Sequence, residues 1–353
     1  METPFTYENL TWAARECMKG VAWKNGTARW RMHILAYCRR LEIELATGKY
    51  RMGRPNTFRI TSPKERTVSA LLFRDRVVHK VICHQGGLIA DMFRNAYIDN
   101  CACQTGKGTT FAIGRMKKHL RRHYLENGAD GYVVDMDVRK FFDSIPHDQL
   151  IEQVYFRVRL PIVRKMVRDI IESYPGDRGI GLGSEISQVL ANSYLTAVDF
   201  MLKQRLGVRH CVRYADNIIC ILPKEIGGID DTGNSVKIDG KEYARTVYDG
   251  VRHALHTLGL DVNPKSSIHP LSQGFHFLGF RWRLKGTGSI RLSVLRKSRT
   301  RIRRRLRRLV RKYRAGQIEM QDVLNSYQSW AAYAGQGEYD KKKIRDELME
   351  MLR

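Results

Sequence analysis

The sequence has 353 residues, of which 43% are hydrophobic, yet it contains no long apolar run. A membrane-spanning helix needs about 20 consecutive apolar residues, so we predict no membrane span and no membrane partner. The first residues, Met1 to Trp12, include the acids Glu2 and Glu8 and lack an apolar signal core. We therefore expect a cytoplasmic protein that is not processed at its N-terminus.

Cysteine is scarce and poorly spaced for a structural role. The seven cysteines are an odd number, and no two of them form a C-x-x-C pair. Cys101 and Cys103 are too close together for a zinc knuckle, and no H-E-x-x-H sequence occurs. The pattern indicates a reducing compartment and predicts no structural zinc site.

Acidic residues are few beside basic ones. The 62 lysines and arginines exceed the 36 aspartates and glutamates, which gives a net charge of +26. Such a field attracts polyanions through phosphate contacts and counterion release. Charge therefore predicts nucleic-acid binding, but it leaves open whether the chain is an enzyme, a scaffold or a heparin-like binder.

Apolar periodicity predicts a mixture of helices and strands. Helical spacing covers residues 9–50, 73–92, 111–125, 151–174, 187–206 and 243–258. Short strands are predicted at 58–60, 132–142, 211–214, 218–222 and 274–283, with a hairpin or surface insertion over 223–243. The order lacks βαβ regularity, so we predict an α+β fold with boundaries near residues 128 and 288.

The chain changes character after Ser293. Lysine and arginine fill most of positions 296–314, and apolar residues recur there at three- and four-residue steps. One apolar stripe beneath a basic face predicts an amphipathic helix. We expect the stripe to pack on Tyr327, Trp330 and Tyr333.

Two acids stand in apolar surroundings. Asp137 lies near the end of a predicted strand, two residues after Asp135, and Asp216 lies in a turn between two short strands. Each could be a capping or turn acid, but a buried acid is costly unless it binds a cation. Nucleotidyl transfer by two metal ions requires such carboxylates from separate segments to converge.

Taken in order, five segments resemble the motifs of reverse transcriptases. Tyr214-Ala215-Asp216-Asn217 resembles the motif C box, and residues 132–150, 179–188, 258–265 and 277–280 resemble motifs A, B, D and E. The resemblance extends over roughly residues 55 to 335. It implies a right-hand polymerase, with fingers over residues 1–128, a palm with an antiparallel sheet over 129–288 and a basic helical thumb over 289–353.

The resemblance also implies roles for matching residues. Two Mg²⁺ ions, or Mn²⁺ in their place, would be held by Asp137, Asp216 and the Val138 carbonyl, and Lys265 would protonate the leaving pyrophosphate. Contacts to the dNTP would come from Lys64, Arg66, Phe142 as a steric gate, Leu182, Gly183 and Gln188. Phe277, Leu278 and Gly279 would grip the primer, and the thumb would track the duplex with Arg301, Arg304, Arg305 and Arg308. The alternatives are a packing role for Phe142 and surface positions for Lys64, Arg66 and Lys265.

Two segments are similar to diversity-generating retroelement enzymes. These are Leu182-Gly183-x-x-x-Ser187-Gln188 and the block from Asn100 to Thr109. The similarity implies error-prone copying of an RNA template from a DNA or RNA primer, with an accessory protein. An antiviral-defence reverse transcriptase with a structured noncoding RNA remains an alternative. A group II intron maturase is less expected, because nothing after the predicted thumb resembles its further domains.

Asn217 departs from the motif, which has a second aspartate at this position. The change removes a negative charge beside the predicted metal ions. It could be natural or inactivating, and the inactive alternative is an RNA-binding scaffold without dNTP incorporation. We expect an active enzyme.

Overall fold

The computed structural model describes residues 3–22, 24–61, 65–229, 235–338 and 341–352. They form a mixed α+β fold with antiparallel sheets, as predicted. Its buried apolar residues form two clusters, one on each face of a central sheet. None of the helices in these ranges combines the length and apolarity that a bilayer crossing requires.

The N-terminal region is helical but not continuous. It contains α1 (Tyr7–Met18), α2 (Asn25–Met32) and α3 (Ile34–Ala46). The helical character predicted for residues 9–50 is confirmed for most of this range, but it is divided: α1 ends before Gly20, whose φ is +72°, and His33 separates α2 from α3. A two-stranded sheet follows, formed by β1 (Asn56–Ile60) and β2 (Arg66–Ala70), and then α4 (Phe73–Cys83) and α5 (Leu88–Met92).

The next segment leads into the central sheet. It contains α6 (Thr109–Asn127), β3 (Tyr132–Met136), α7 (Phe141–Ser144), α8 (His147–Arg157) and α9 (Pro161–Glu172). The strand predicted to reach Phe142 ends at Met136, and Phe142 lies in the helical turn α7 instead. The helix predicted over 151–174 divides because Pro161 starts a new helix and keeps the preceding residue extended.

The central sheet is completed further along the chain. After α10 (Glu185–Tyr194), α11 (Thr196–Phe200) and a π-helical turn (Met201–Arg205) come β4 (His210–Tyr214) and β5 (Asn217–Leu222). The hairpin of β6 (Glu225–Ile229) and β7 (Ser235–Asp239) lies within the expected insertion, although α12 (Gly240–Thr257) begins before its end. With β8 (Ser267–Pro270), the antiparallel strand order is β4-β5-β3-β8.

Both faces of the central sheet are covered. Successive strand residues point to opposite faces, so Val134 and Met136 join one apolar cluster while Val133 joins the other. Helix α12 contacts β3 on the first face, and α6 contacts β4 and β5. Burial on both faces explains why these strands are nearly continuous apolar runs.

A second antiparallel sheet precedes the C-terminal helices. It contains β9 (Phe275–Phe277), β10 (Phe280–Leu284) and β11 (Ile290–Val294), so the single strand predicted at 274–283 is in fact a hairpin. Aromatic residues alternate inward, and exposed residues alternate outward. The helices α13 (Arg296–Arg314), α14 (Met320–Ala334) and α15 (Lys342–Leu352) follow, and α13 buries Ile302, Leu306 and Val310 as its apolar stripe predicted.

Candidate active site

Asp137 and Asp216 meet at one end of the central sheet. Asp137 directly follows β3, and Asp216 lies in the two-residue turn between β4 and β5. The register places Met136 opposite Ile218, which brings the two acids to the same edge. Burial, followed by the negative charge of Asp137, raises the pKa of Asp216, whereas the positive charge of Arg66 opposes the rise. The two carboxyl groups therefore lie close enough for the charge of one to act on the other.

Asp135 lies beside this pair, on β3. Burial, followed by the charge of Asp137, raises the pKa of Asp135 to about 6. Asp137, one residue beyond the end of β3, therefore lies close enough for its charge to act on Asp135. Three carboxyl groups thus crowd one edge of the sheet, an arrangement that favours a bound cation.

A buried arginine holds the turn that carries Asp216. The side chain of Arg213 is 2% exposed, and its guanidinium donates to both carboxylate oxygens of Asp199 at 2.7 and 2.5 Å. It also donates to the Asn192 side-chain oxygen at 2.7 Å and to the Ala215 carbonyl at 2.9 Å. Ala215 has a φ of +54°, a left-handed conformation that is unfavourable for a side chain with Cβ. Arg213 thus stabilises the backbone immediately before Asp216.

Asp137 is held from another segment. The Asn263 side-chain amide donates to its carboxylate at 2.8 Å, and the Asn263 backbone amide donates to its carbonyl at 2.8 Å. The backbone N–H of Asp137 donates to the Ser266 hydroxyl at 3.0 Å. These contacts were missed in the sequence, where only the neighbouring Lys265 was singled out.

Asn217 is the first residue of β5, next to Asp216. Its side-chain oxygen is buried and has no hydrogen-bond partner among the described residues. A buried amide oxygen without a partner is unusual, because its desolvation is uncompensated. The unused acceptor therefore lies immediately after the turn that carries Asp216.

The glycine-rich segment before α10 packs against β2. The Ser69 amide donates to the Leu182 carbonyl at 2.8 Å. Gly183 has a φ of +124°, and a Cβ there would lie 2.6 Å from the Ser69 carbonyl oxygen. The close approach of β2 therefore requires glycine at this position. The approach of this backbone to a template or nucleotide stays a prediction.

Phe142 is attached to the same glycine-rich segment. Its carbonyl accepts from the Ile180 amide at 2.8 Å, and its half-buried ring lies edge-on to Phe141. Leu182 is half-buried, whereas Gln188 is exposed. The structure thus brings Phe142 and the segment before α10 together.

The predicted cationic residues are less constrained. Arg66 is exposed on β2 but close enough to affect the pKa of Asp216. Lys265 is exposed in a turn, where its backbone amide donates to the Asn263 side chain at 3.1 Å. Lys64 lies outside the described residues. Of these cations, the structure connects Arg66 with the acidic pair.

Residues 61–282 match the family model described as "Reverse transcriptase (RNA-dependent DNA polymerase)". The match covers more than half of the chain. The chain belongs to the reverse transcriptase family. A putative COX1/OXI3 intron 1 protein of Saccharomyces cerevisiae is 26% identical over 192 residues, which are 49% of this chain and 21% of that protein. The chain thus spans about a fifth of the length of this curated relative.

The Asn100–Thr109 block of this reverse transcriptase is tied to the motif C hairpin. Asn192, which accepts from Arg213, donates to the Asn100 side chain at 3.0 Å. Lys107 donates to the Asn100 carbonyl at 2.8 Å, and burial lowers its pKa. Lys107 therefore stabilises its own loop rather than extending into solvent.

The hairpin at residues 277–280 contacts the C-terminal helices of the reverse transcriptase. The Tyr333 hydroxyl donates to the Gly279 carbonyl at 2.8 Å, and its ring lies 4.8 Å from that of Phe280. Phe277 is buried, and Leu278 has a φ of +51° in the turn. Tyr333, which is predicted to pack on the apolar stripe of α13, therefore also stabilises this hairpin.

Left-handed backbone is concentrated in the family motifs. Among the described residues, the non-glycine residues with positive φ are Cys103, Lys140, Ala215 and Leu278. They lie in the Asn100–Thr109 block and in the segments resembling motifs A, C and E. Such conformations cost about 1–3 kcal/mol each and persist where surrounding contacts enforce them.

The predicted nucleic-acid face of α13 is exposed. Arg301, Arg304, Arg305 and Arg308 all point to solvent on the side away from the buried stripe. Arg303, in contrast, pairs with Glu347 of α15 at 2.6 Å.

A buried histidine cluster was not foreseen. His119 and His123, one helical turn apart on α6, lie against His210 of β4. His119 bonds to Asp99 at 2.8 Å, and His210 bonds to Glu126 at 3.1 Å. The cluster joins α6 to the central sheet. The spacing of four residues between His119 and His123 was the available signal.

Proposed function

We propose that this reverse transcriptase copies RNA into DNA by two-metal nucleotidyl transfer, with Asp137 and Asp216 as the metal-binding carboxylates. The observation that carries the proposal is the convergence of these two acids at one edge of the central sheet, where burial raises the pKa of Asp216. Two carboxylates in contact repel each other unless a proton or a cation lies between them. A divalent cation is the partner that nucleotidyl transfer requires.

The oxygen donors at this edge fit Mg²⁺ or Mn²⁺. Among the described residues, no group of three or more His, Cys, Asp or Glu has metal-holding geometry. Neutral oxygens would therefore complete the set, namely the Val138 carbonyl and the partnerless Asn217 amide oxygen. Hard cations accept carboxylate, carbonyl and amide oxygens together. Asn217 would then be a neutral ligand that replaces a charged one.

The remaining roles follow from position. Bound metal ions would lower the pKa of the primer hydroxyl and neutralise charge on the phosphates. Arg66, on the strand that meets the glycine-rich segment, would bind the triphosphate, as Lys64 would. Lys265 would donate a proton to the leaving pyrophosphate from its exposed turn. Asn263 and Ser266 would position Asp137.

The nucleotide site would lie between α7 and the segment before α10. Phe142, whose backbone is bonded to that segment, would exclude a ribose 2′-hydroxyl. Gly183 would allow close backbone approach, Leu182 would face the nascent base pair, and Gln188 would contact the nucleotide from α10. An aliphatic side chain at 182 offers fewer polar constraints on base choice.

The fold supports the assignment of a right hand. We assign residues 1–128 to the fingers, 129–288 to the palm and 289–353 to the thumb. The turn formed by Phe277, Leu278 and Gly279 would grip the primer, since Tyr333 braces it from α14. The exposed arginines of α13 would follow the duplex backbone.

Within the family, we propose the error-prone retroelement type. The support is the Leu182-Gly183-x-x-x-Ser187-Gln188 pattern together with the Asn100–Thr109 block, which the Arg213 network ties to motif C. An RNA template, a primer and an accessory protein would be its partners in the cytoplasm. A second candidate, an inactive RNA-binding scaffold, is suggested by Asn217.

Primer extension tests the proposal and separates the two candidates. The unmodified chain and Asn217→Asp are compared on RNA and DNA templates, with dNTPs or rNTPs, in Mg²⁺ and in Mn²⁺. The proposal predicts dNTP incorporation on RNA by the unmodified chain, with a frequent wrong base that Leu182→Gln makes rarer. Incorporation by Asn217→Asp alone would establish the scaffold instead.

A further inference from the structure

The outward face of the second sheet carries a pocket lined by cationic side chains. The pocket has a volume of about 410 Å³, and β9, β10, β11 and the start of α13 form its walls. Its positive or titratable lining residues are His276, Arg281, Arg283, Arg291, Arg296 and Arg299. None of the roles proposed above uses these residues.

Two arginines face each other directly in this pocket. Arg283 of β10 is the register partner of Arg291 of β11, and Arg281 is the register partner of His276. Like charges at directly opposite positions destabilise a strand pair. An anion bound between them would remove that repulsion and use the guanidinium groups as paired donors.

Among the residues that the structure describes, acidic compensation of Arg281 and Arg291 is weak. Glu338 reaches Arg291 at 3.6 Å, but both side chains are more than half exposed, at 62% and 52%. Arg281 donates to the Gln273 carbonyl at 3.2 Å, which satisfies a donor without neutralising the charge. Exposed pairs of this kind contribute little, so the pocket retains most of its positive field.

The pocket lies on a different side of α13 from the proposed duplex face. At about 100° per residue, Arg299 lies about 120–180° around the helix from Arg301, Arg304, Arg305 and Arg308. A strand held by Arg299 and the β10–β11 arginines would therefore not follow the same surface as the duplex.

We propose that this pocket binds the phosphodiester backbone of a single-stranded RNA segment outside the template–primer duplex. Guanidinium groups match phosphate oxygens in a bidentate fashion. A flexible single strand can bend its phosphates into a concave site, whereas a rigid duplex presents them along a convex surface. Only the choice of RNA as the polyanion rests on the proposed function. Upstream template and a folded partner RNA both contain a single-stranded phosphodiester backbone of this kind.

The test measures RNA binding without dNTPs or metal ions. Fluorescence anisotropy follows a labelled oligouridine and a blunt RNA–DNA hybrid over a series of KCl concentrations. The variant is R283Q/R291Q, and the matched control, R304Q/R308Q, removes the same charge from the opposite side of α13. A third probe, inorganic phosphate, is tested by its effect on the thermal midpoint.

The proposal predicts that R283Q/R291Q reduces the salt slope for oligouridine by about 1.4, since each single-strand phosphate contact contributes about 0.7. Its thermal midpoint should not fall, because a repulsive pair is removed. Its binding to the blunt hybrid should be unchanged, whereas R304Q/R308Q should weaken the hybrid more than oligouridine. Two further RNA probes identify the source of the bound strand. Tighter binding of oligouridine when it forms the 5′ extension of a template would identify upstream template. Tighter binding of a hairpin with a single-stranded tail would identify partner RNA.

Two results would overturn the inference. One is a salt slope for oligouridine that is the same in R283Q/R291Q as in the unmodified chain. This holds even if inorganic phosphate raises the thermal midpoint, because the pocket would then bind a free anion but not RNA. The other is an equal loss for oligouridine and hybrid, which would mean a general field effect. A chain without polymerase activity would still give an interpretable result here, because RNA binding and primer extension are measured separately.

Discussion

Replacement of Arg213 by methionine should uncouple the catalytic turn from the body of the palm. In the structure, this guanidinium makes five hydrogen bonds to Asp199, Asn192 and the Ala215 carbonyl, at distances from 2.5 to 3.1 Å. Asp199 is only 6% exposed. The single variant would leave Asp199 as a buried, unpaired charge, which costs about 3–5 kcal/mol of stability.

A double variant separates folding from positioning. Asp199→Leu combined with Arg213→Met removes both members of the buried pair, and such replacements are often neutral for stability. The Ala215 carbonyl nevertheless loses its donor, so the left-handed turn before Asp216 is no longer held. A displacement of about 1 Å at reacting groups can reduce a rate by about 100-fold.

The assay is single-nucleotide incorporation at saturating template–primer, beside thermal unfolding followed by circular dichroism. We expect the double variant to melt near the unmodified chain but to incorporate about 10- to 100-fold more slowly. Arg209→Met, at an exposed arginine in the same segment, is the matched control and should change neither property. A double variant that folds normally and incorporates at the unmodified rate would refute the positioning role of Arg213.

Three further outcomes are expected. Burial lowers the pKa of His79 to about 4 from 6.5, so the unfolded chain binds the proton more tightly. The free energy of unfolding should therefore fall by about 3 kcal/mol between about pH 6.5 and pH 4, and His79→Leu should lose this dependence in acid unfolding titrations. Gly183→Ala should destabilise more than Gly106→Ala, because both have positive φ but only Gly183 meets backbone within 4 Å; urea unfolding measures the difference. Asn263→Ala should slow incorporation about tenfold and lower the free energy of unfolding by about 1.5–3 kcal/mol, since Asp137 loses one charge-assisted hydrogen bond; an unchanged rate would contradict this.

The sequence predicted the elements that local patterns determine. The strands around Asp216 and the amphipathic helix α13 follow from apolar period, and the family match includes the segments that resemble motifs A to E. The helix starts at Phe73 and Pro161 reflect local chemistry, although Pro161 was not used to divide the helix predicted over 151–174.

Contacts between distant segments could not be predicted in this way. Asn263 is 126 residues from Asp137, and Asn192 is 21 residues from Arg213, so no periodicity relates them. A continuous strand is predicted through residues 277–280, but the structure has a hairpin turn there. The difference arises because Leu278 adopts a left-handed conformation that leucine does not favour. Such exceptions arise where tertiary contacts outweigh local propensity, here the Tyr333 hydrogen bond to the neighbouring Gly279.

The central claim is that Asp137 and Asp216, rather than the nearby Asp135, bind the metal ions for RNA-directed DNA synthesis. Its most direct test is single-turnover dNTP incorporation on an RNA template by Asp137→Asn and Asp135→Asn, with folding checked by thermal unfolding. We predict that Asp137→Asn abolishes incorporation while Asp135→Asn retains most of it. Robust incorporation by a folded Asp137→Asn chain would contradict the account.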